Sequence, residues 1–360
     1  MSAIRPTQPQ AVLVLPFLRV QNANAISSPL THGFPSITAF TGLMWALERK
    51  LAQANISQHP LHLLKVGVIC HDHEEQVVDG YVKTFSLARN PVGKDGKTAA
   101  IVEEGRIHLD ITLVLAVATS SASGTSDAFL ALEQAEQDPE QTLARQIAEV
   151  LATMRIAGGT LLPPRKGPGR RTRPWLALLP EDAEVRAATF KQWRRQWLPG
   201  YALVGRDDLL ATRLAQLQQA QPDATLLDAW LHTARFNHAP AQQADGEAPL
   251  PDGKVLWADP WRSKGTGWTV PIPVGYASLT GHPHAPGEVA NARDARTPLA
   301  FVESVYSMGE WRSPHRLQNL EALLWHAETD ATKGLYRCRS GYIPPGAEAD
   351  ALDDDEPDFD

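Results

Sequence analysis

Residues 11–54 read AVLVLPFLRVQNANAISSPLTHGFPSITAFTGLMWALERKLAQA, and three different patterns follow one another in them. Ala11–Val20 is an apolar, strand-like run and Thr38–Ala54 is helix-like. Between them, Gln21–Ser36 contains amides, hydroxyls, Gly and Pro but no acid, Lys or Arg. These groups suit the edges of bases and riboses or the oxygens of phosphates, and they are a poor set for acid–base chemistry. A structural Asx/Ser turn that joins strand to helix is an equally open interpretation.

The composition indicates a protein that is not embedded in a membrane. At 360 residues, with 43% hydrophobic residues and ten Trp, the chain can bury a sizeable core as one elaborated domain or two smaller ones. No apolar run is long enough for a transmembrane helix, and Met1–Gln10 lacks the apolar region of a signal peptide. Cys70 and Cys338 are the only cysteines, too few for a disulfide framework. We therefore expect a cytoplasmic protein without a membrane partner.

The net charge of −7 is unevenly distributed. Glu348–Asp360 contains eight acids and no base, which leaves 33 of the 41 acids against 34 bases in the rest of the chain. Basic residues concentrate in the Gly/Pro-interrupted loop 165–173 and at Lys191, Arg194 and Arg195. Such islands on a near-neutral body permit a polyanionic partner. The tail is typical of a disordered acidic segment, with screening of the basic surface as an alternative.

Residues 11–160 are predicted to fold as a β-α-β-β-α-β core, the order of a ferredoxin-like or RRM-type domain. The predicted strands are 11–20, 62–70, an extended pair at 81–87 and 98–106, and 108–119, and the predicted helices are 38–54 and 139–156. Asn90-Pro91 and Asp95-Gly96 are turn signals between strand-like runs, so residues 87–106 are predicted to form a protruding β-hairpin with a polar, basic tip. A solvated excursion without function is the alternative.

The remaining chain is predicted to add to this core. Residues 161–253 are expected to form the basic loop and a helical insert, with helices at 182–197, 207–220 and 226–237 and a strand at 201–204. Residues 254–340 are expected to complete the head, with strands at 268–279, 301–308 and 334–339 and a helix at 314–326. Residues 341–360 are the disordered acidic tail. The predicted fold class is thus α+β, an RRM/ferredoxin-like head with a protruding hairpin and a helical insert.

No motif in the chain predicts catalysis or a cofactor. His71-Asp72-His73-Glu74-Glu75 resembles a metal cluster, but no partner motif completes it, and a solvated strand end is the favoured interpretation. A nucleophile elbow, a Walker loop and a dinucleotide-binding fingerprint are all missing from the sequence. Cys70 ends an apolar strand, where an inert thiol is commonest. We therefore expect no catalytic residue, no bound metal and no cofactor.

Several basic islands favour a nucleic-acid partner. Asn291–Arg296 contains two guanidinium groups three residues apart, which suit phosphate or base contacts. Arg312, His315 and Arg316 surround a predicted helix start, and Arg337 and Arg339 share one strand face. Each of these alone is more often a surface ion-pair residue than a ligand. Their recurrence beside the neutral polar segment shifts the interpretation toward RNA.

These segments, taken in order, resemble the small crRNA-handle-binding subunit of the type I-F (Csy) CRISPR surveillance complex. The resemblance covers about Leu13 to Arg339, and the loop near Arg170 and the acidic tail fall outside its pattern. The matching motifs are Gln21–Ser36 with Ala39–Gly42, Arg89–Pro91, Thr98–Arg106, Met154–Gly159, Leu198–Val204, Val270–Pro273, Gly287–Val289, Asn291–Asp294, Phe301–Glu303, Gly309–Trp311 and Lys333–Arg337.

The resemblance implies a non-catalytic, Cas-five-type member of the RAMP superfamily, with an RRM-like head and a thumb hairpin. Such a subunit holds the 5′ handle of the crRNA, pairs with the large PAM-reading subunit, caps the backbone of repeated subunits and meets target DNA in the complex. The thumb maps onto 87–106. His32 and Cys338 stand where relatives carry aromatic residues. The RNA-binding residues implied are Gln21, Asn22, Asn24, Ser27, Ser28, His32, Ser36, Arg89, Asn90, Arg106, Arg155, Arg293 and Arg337.

Two enzymatic alternatives remain open at this point. A metal-independent endoribonuclease of the same superfamily would process precursor crRNA with His71, His73 or His315 as general base. A metal-dependent nuclease would use the cluster at 71–75.

Overall fold

The computed structural model describes residues 6–57, 60–88, 92–98, 102–119, 142–165, 167, 170–240, 255–262 and 267–344. Helices α1 to α5 span Ile37–Ala54, Leu143–Ala152, Ala183–Trp193, Asp207–Gln218 and Leu226–Ala234. Strands β1 to β19 are, in chain order, Ala11–Asn24, Ile26–Ser28, Thr31–His32, Leu61–Glu75, Val77–Val78, Thr84–Phe85, Leu87–Ala88, Val102–Glu103, Arg106–Thr119, Arg155–Ile156, Gly159–Leu162, Trp175–Leu178, Tyr201–Gly205, Ala239–Pro240, Trp257–Ala258, Trp268–Ser278, Val302–Arg312, Trp325–Asp330 and Leu335–Ser340. The mixture of helices with a large antiparallel sheet confirms the α+β class.

The large sheet has the strand order β10-β11-β1-β9-β4-β13-β17-β16-β19-β18, and β12 also pairs with β1. Strand β1 runs antiparallel to both β9 and β11. Its register against β9 shifts between Leu15 and Leu18 and again between Val20 and Ala23. Phe17 and Asn22 lie at these two irregularities with φ angles of 51° and 57°. Because a bulge bends its strand, β1 changes direction just as the polar segment begins.

The second half of the sheet closes on itself. Strand β18 pairs with β19 and also returns to β4, where Trp325 is the register partner of Val66. The buried indole of Trp325 donates a hydrogen bond of 2.8 Å to the Leu203 carbonyl on β13. Strands β4, β13, β17, β16, β19 and β18 therefore form a ring that holds β16 and β19 close to α1.

Both faces of the central strands are covered, which explains the unbroken apolar runs of β1 and β9. Leu13 and its neighbours on one face pack with α1 and α2, whereas Val12 and Val14 on the other face join a cluster with Phe190 and Trp197. The second cluster is built by α3 and by short 3₁₀ helices at Arg194–Trp197, Pro314–Arg316 and Glu321–Leu323.

Helices α4 and α5 pack on β17 and form a third cluster with it, apart from the two clusters described above. Leu210 of α4, Trp230 of α5 and Met308 of β17 form a small buried cluster. The Trp230 indole donates a hydrogen bond of 3.1 Å to the Ser307 carbonyl. The helices predicted at 207–220 and 226–237 are thus present in the structure, with somewhat earlier ends.

The predicted helix over 314–326 is wrong. The segment contains only the two 3₁₀ helices at 314–316 and 321–323, and Trp325 already begins β18. Its apolar spacing arises because Leu317, Leu320 and Leu323 all face the second buried cluster. An irregular segment can therefore bury apolar side chains at the same sequence spacing as a helix does.

Two element boundaries also differ from the prediction. The strand predicted at 62–70 continues to Glu75, so His71–Glu75 forms the last, largely exposed part of β4, in agreement with the solvated strand end expected there. The predicted helix 139–156 ends at Ala152, and Arg155–Ile156 forms β10. Residues 89–91 and 99–101 of the predicted hairpin, 120–141, 241–254 and 345–360 of the acidic tail lie outside the described residues. No helix among the described residues has the length and apolarity needed to cross a membrane.

Candidate nucleic-acid interface

The polar segment 21–36 lies at the protein surface, where β1 ends. Gln21, Asn22 and Asn24 are exposed. The Asn22 N–H donates to Nδ1 of His108 at 3.1 Å, and the Asn24 N–H donates to the Ala157 carbonyl at 2.8 Å. The second contact holds the β10–β11 turn against β1. A Cβ at Gly159 would lie 2.8 Å from the Ala23 nitrogen, so this close approach requires glycine.

Several side chains of the segment stabilise the turn itself. The Asn24 amide accepts from the Ile26 N–H at 3.1 Å and donates to the Ile26 carbonyl at 2.7 Å. The hydroxyls of Ser27 and Ser28 lie 2.8 and 2.6 Å from the Thr31 hydroxyl. Ser28 is buried. The Asx/Ser-turn interpretation is therefore correct for these side chains, whatever else the segment contacts.

Ser36 connects the segment to the helix and to the sheet. As the N-cap of α1, its hydroxyl accepts from the Thr38 N–H at 3.3 Å. The same hydroxyl donates to the Pro273 carbonyl of β16 at 3.2 Å. A serine at this position thus satisfies an unpaired N–H of the helix start and fixes α1 against β16.

A groove of about 450 Å³ separates this segment from β16 and β19, and we call it the tyrosine groove. Tyr276 and Tyr336 line it with nearly parallel rings, 28° apart in plane, and the tyrosine hydroxyls contact those of Thr38 and Thr41 at 3.2 and 3.0 Å. The full lining is Asn24, Ser27, Pro35, Ser36, Thr38, Ala39, Ala157, Tyr276 and Tyr336.

The sequence prediction did not assign the two tyrosines to the site. Tyr276 and Tyr336 are separated by 60 positions in the chain, and they meet only because β16 and β19 pair in this register. The presence of one tyrosine in each of two strand-like runs was the one sequence feature that could have indicated them. Asn24, Ser27 and Ser36 are the predicted residues that the structure brings to this groove.

A second cavity of about 470 Å³ lies on the other side of the segment, and we call it the tryptophan cavity. Phe34 and Trp311 contact each other edge to face in its wall, with ring centroids 4.8 Å apart. Tyr201 and Trp268, each about half exposed, line it as well. Ser27 and Pro35 line both the tyrosine groove and the tryptophan cavity, so the two are adjacent.

His32 stands beside the short strand β6, which precedes the predicted hairpin 87–106. Its Nδ1 lies 3.0 Å from Oε1 of Glu75, and its ring meets that of Phe85 edge to face at 5.6 Å. His32 remains exposed, and it also lines the tryptophan cavity.

The predicted cationic residues do not converge on one point. Arg106 pairs with Glu104 at 2.7 Å, and Arg337 pairs with Asp207 at 2.8 Å. Arg293 is exposed. Arg155 is also exposed, and its guanidinium reaches the Gly158 carbonyl at 3.4 Å. Gln21 lines a separate small cavity near Arg19 and Arg165, and Arg89 and Asn90 lie outside the described residues.

Both ring nitrogens of His71 take part in hydrogen bonds. Its Nδ1 lies 2.7 Å from the Pro199 carbonyl and its Nε2 lies 2.7 Å from the Thr112 hydroxyl. Burial lowers the pKa of His71 below the ordinary 6.5. Burial also raises the pKa of the neighbouring Cys70 thiol to about 12. Among the described residues, no group of three His, Cys, Asp or Glu is arranged to hold a metal ion.

The fold and this surface define an α+β protein with adjacent polar and aromatic recesses. Residues 13–338 match the family model for the CRISPR-associated protein Cas_Csy2. The chain is also 44% identical over 336 residues to the CRISPR-associated protein Csy2 of Pseudomonas aeruginosa (strain UCBPP-PA14), covering 92% of this chain and 95% of the relative. The chain therefore belongs to the Csy2 family, and its assignment to a Csy subunit of a type I-F CRISPR system is confirmed.

Proposed function

We propose that this chain is the subunit that holds the 5′ handle of the crRNA in the type I-F Csy complex. The observation that carries the proposal is the tyrosine groove, where amide and hydroxyl groups of Asn24, Ser27 and Ser36 face two aromatic rings in a Csy2-family protein. Single-stranded RNA is recognised through base stacking on aromatic rings and through hydrogen bonds to base edges and 2′-hydroxyls. The groove offers both kinds of contact on an open surface.

The strand order supports an RRM-like head of the RAMP type. Strands β11, β1, β9 and β4 are adjacent in that order and each is antiparallel to its neighbours, with α1 and α2 on one face. This is the arrangement that a β-α-β-β-α-β unit adopts when its second and third strands are joined directly. The strand pairs β5–β6 and β7–β8 lie between β4 and β9, where the proposed thumb is inserted.

The proposed thumb has turn chemistry that suits a hairpin. Leu87 and Ala88 pair with Glu103 and Val102, and Val92 bridges to Thr98 around a turn in which Gly96 has a φ of 74°. In the complex this hairpin would meet the first segment of the guide–target duplex, where backbone and shape contacts suffice because base pairing reads the sequence.

The chain is proposed to have no catalytic role. Of the three histidines considered as general bases, His71 has both ring nitrogens engaged. His315 lies in a 3₁₀ helix with its Nδ1 2.7 Å from the Ser313 hydroxyl, and it does not line the groove. His73 is exposed and lies 6.5 Å from the Trp268 ring. None of these arrangements resembles a base aligned on a scissile 2′-hydroxyl.

The partners follow from the complex. We propose that the chain pairs with the large PAM-reading subunit, caps the helical backbone of repeated subunits, and contacts target DNA only within that assembly.

The proposal is tested with the purified full chain and labelled crRNA handle. We expect saturable binding of the handle that a scrambled RNA of equal length and composition does not reproduce. Adding the large subunit should tighten this binding. Specific cleavage of precursor RNA by the chain, lost in His71→Gln or His315→Ala, would support the endoribonuclease alternative instead.

A further inference from the structure

We propose that the tryptophan cavity is a stacking pocket for one nucleobase that carries an exocyclic amino group, namely cytosine, adenine or guanine. The inference rests on the proposed function, because an RNA strand must first reach the adjacent tyrosine groove. It assigns the cavity a ligand that membership of the family does not itself specify.

The aromatic rings of the cavity are available for stacking. Trp268 is 56% exposed and Tyr201 is 50% exposed, and their ring centroids lie 6.5 Å apart at 72°. The His73 ring also lies 6.5 Å from that of Trp268, and the exposed part of the indole offers a face on which a base can stack. Stacking of a base on such a face is insensitive to salt and contributes substantially to single-strand binding.

The cavity adjoins the groove. Ser27 and Pro35 form part of both linings, so an RNA strand that leaves the tyrosine groove over this shared edge would reach the tryptophan cavity. Its volume of about 470 Å³ is at the scale of ligand pockets in proteins. Phe34, Ile272 and Trp311 make its wall apolar, which suits the flat surface of a base.

The charges of the lining select a base over a phosphate. The described residues that line the cavity include Asp72, Glu75 and three histidines, His32, His71 and His73, but no Lys or Arg. Carboxylates repel a phosphate group. They accept hydrogen bonds from the amino group of cytosine, adenine or guanine, whereas the corresponding oxygen of uracil has no hydrogen to donate. Glu75 is already paired with His32. Asp72 is exposed and its Oδ1 accepts from the His73 N–H at 3.0 Å, so Oδ2 of Asp72 is the acceptor we assign.

The test compares Trp268→Ala with a matched control, Trp257→Ala, in the full chain. Trp257 is 59% exposed and does not line the cavity. With handle RNA and with short oligomers of cytidylate, adenylate and uridylate, Trp268→Ala should weaken binding to the amino-bearing oligomers by about ten- to hundredfold. The salt dependence of the remaining affinity should be unchanged, because no phosphate contact is lost. Trp257→Ala should bind as the unchanged protein does.

A second variant, Asp72→Asn, tests the base preference. It should reduce the preference for cytidylate and adenylate over uridylate, since an amide can donate to the uracil oxygen. If Asp72→Asn keeps the same preference for cytidylate and adenylate over uridylate, Asp72 does not accept a hydrogen bond from the base.

The outcomes separate the two proposals. If the unchanged protein binds handle RNA and Trp268→Ala binds it equally well, the stacking pocket is refuted and the proposed function stands. Equal weakening by both tryptophan variants would also refute the pocket, since the effect would not be local. If the unchanged protein binds no handle RNA, alone or with the large subunit, the proposed function itself fails.

Discussion

Tyr276 and Tyr336 are register partners across β16 and β19, and their ring centroids lie 6.4 Å apart. Directly opposed residues of antiparallel strands project from the same face of the sheet. Both hydroxyls contact threonines of α1, which ties the rings to the helix that follows the polar segment. The two rings are therefore held as a fixed aromatic surface on one side of the groove.

Removing one ring should weaken RNA binding without unfolding the protein. Tyr276 is 41% exposed, so Tyr276→Ala loses little core packing. We expect a loss of about 1–3 kcal/mol in handle affinity, the range for one stacked base. Tyr276→Phe keeps the ring and loses only the contact with Thr38, and it should retain most of the affinity. Titration by fluorescence anisotropy measures both. Equal losses in the two variants would exclude stacking on this ring.

Arg293 and Arg337 should differ in their effect on salt dependence. Arg293 is exposed in a loop, whereas Arg337 is paired with Asp207 at 2.8 Å. If Arg293 contacts a phosphate, Arg293→Ala should flatten the plot of log affinity against log salt by about 0.7. Arg337→Ala should change the slope much less, because an internal carboxylate already neutralises the guanidinium. A larger change for Arg337 than for Arg293 would reverse this assignment.

Ser36 should contribute to stability independently of RNA. Ser36→Ala removes the N-cap acceptor of α1 and the hydrogen bond to the Pro273 carbonyl. We expect the free energy of unfolding to fall by about 1 kcal/mol, the usual cost of losing such a cap. Ser36→Thr keeps the hydroxyl and should be close to neutral. Urea denaturation without RNA makes the comparison, and equal stability of the alanine variant would show that the cap is dispensable.

Arg170 should stabilise the protein, unlike its neighbour Arg171. Arg170 lies 3.0 Å from the buried carboxylate of Asp110 and 5.4 Å above the Phe17 ring, whereas Arg171 is exposed. Arg170→Ala leaves a buried acid without its charged partner, which costs about 1–3 kcal/mol. Arg171→Ala should have little effect on unfolding. Comparable midpoints for the two variants in urea would mean that the Arg170–Asp110 pair adds no net stability.

His71 should make stability depend on pH. Burial lowers its pKa in the folded protein, so as pH falls below about 6.5 the unfolded chain takes up a proton that the folded protein does not. The free energy of unfolding should therefore decrease as pH falls from about 6.5 toward the lower folded pKa of His71, and His71→Gln should lose this component. Urea denaturation of both proteins at neutral and mildly acidic pH measures the difference. Parallel pH profiles would exclude His71 as the source.

The local sequence was a good guide where burial is regular. The apolar runs predicted β1, β9 and α1 to within a few residues, because a strand or helix that packs on a core must repeat its apolar residues at a fixed spacing. The same rule failed at 314–326, where an irregular chain buries leucines at helical intervals. Periodicity thus indicates which residues are buried, but it does not indicate whether the backbone that carries them is helical or irregular.

The polar segment shows a similar division. Its composition indicated a surface rich in neutral donors and acceptors, and Asn22 and Asn24 are indeed exposed. The structure also shows that Ser28 is buried and that the Asn24 amide donates to the Ile26 carbonyl of its own turn. The sequence does not predict these two facts, because a hydroxyl or amide can hydrogen-bond a local turn as readily as a ligand, and the path of the backbone decides between them.

The amino-acid sequence by itself determined the α+β class, the order of the main elements and membership of the Csy2 family, because these depend on local periodicity and on motifs that are contiguous in the chain. Only the tertiary structure decided which side chains share a recess. Tyr276 meets Tyr336, and Tyr201 meets Trp268, through strand pairings between segments far apart in the chain. Such contacts cannot be predicted from the local sequence, since strand register is set by the burial of the whole sheet.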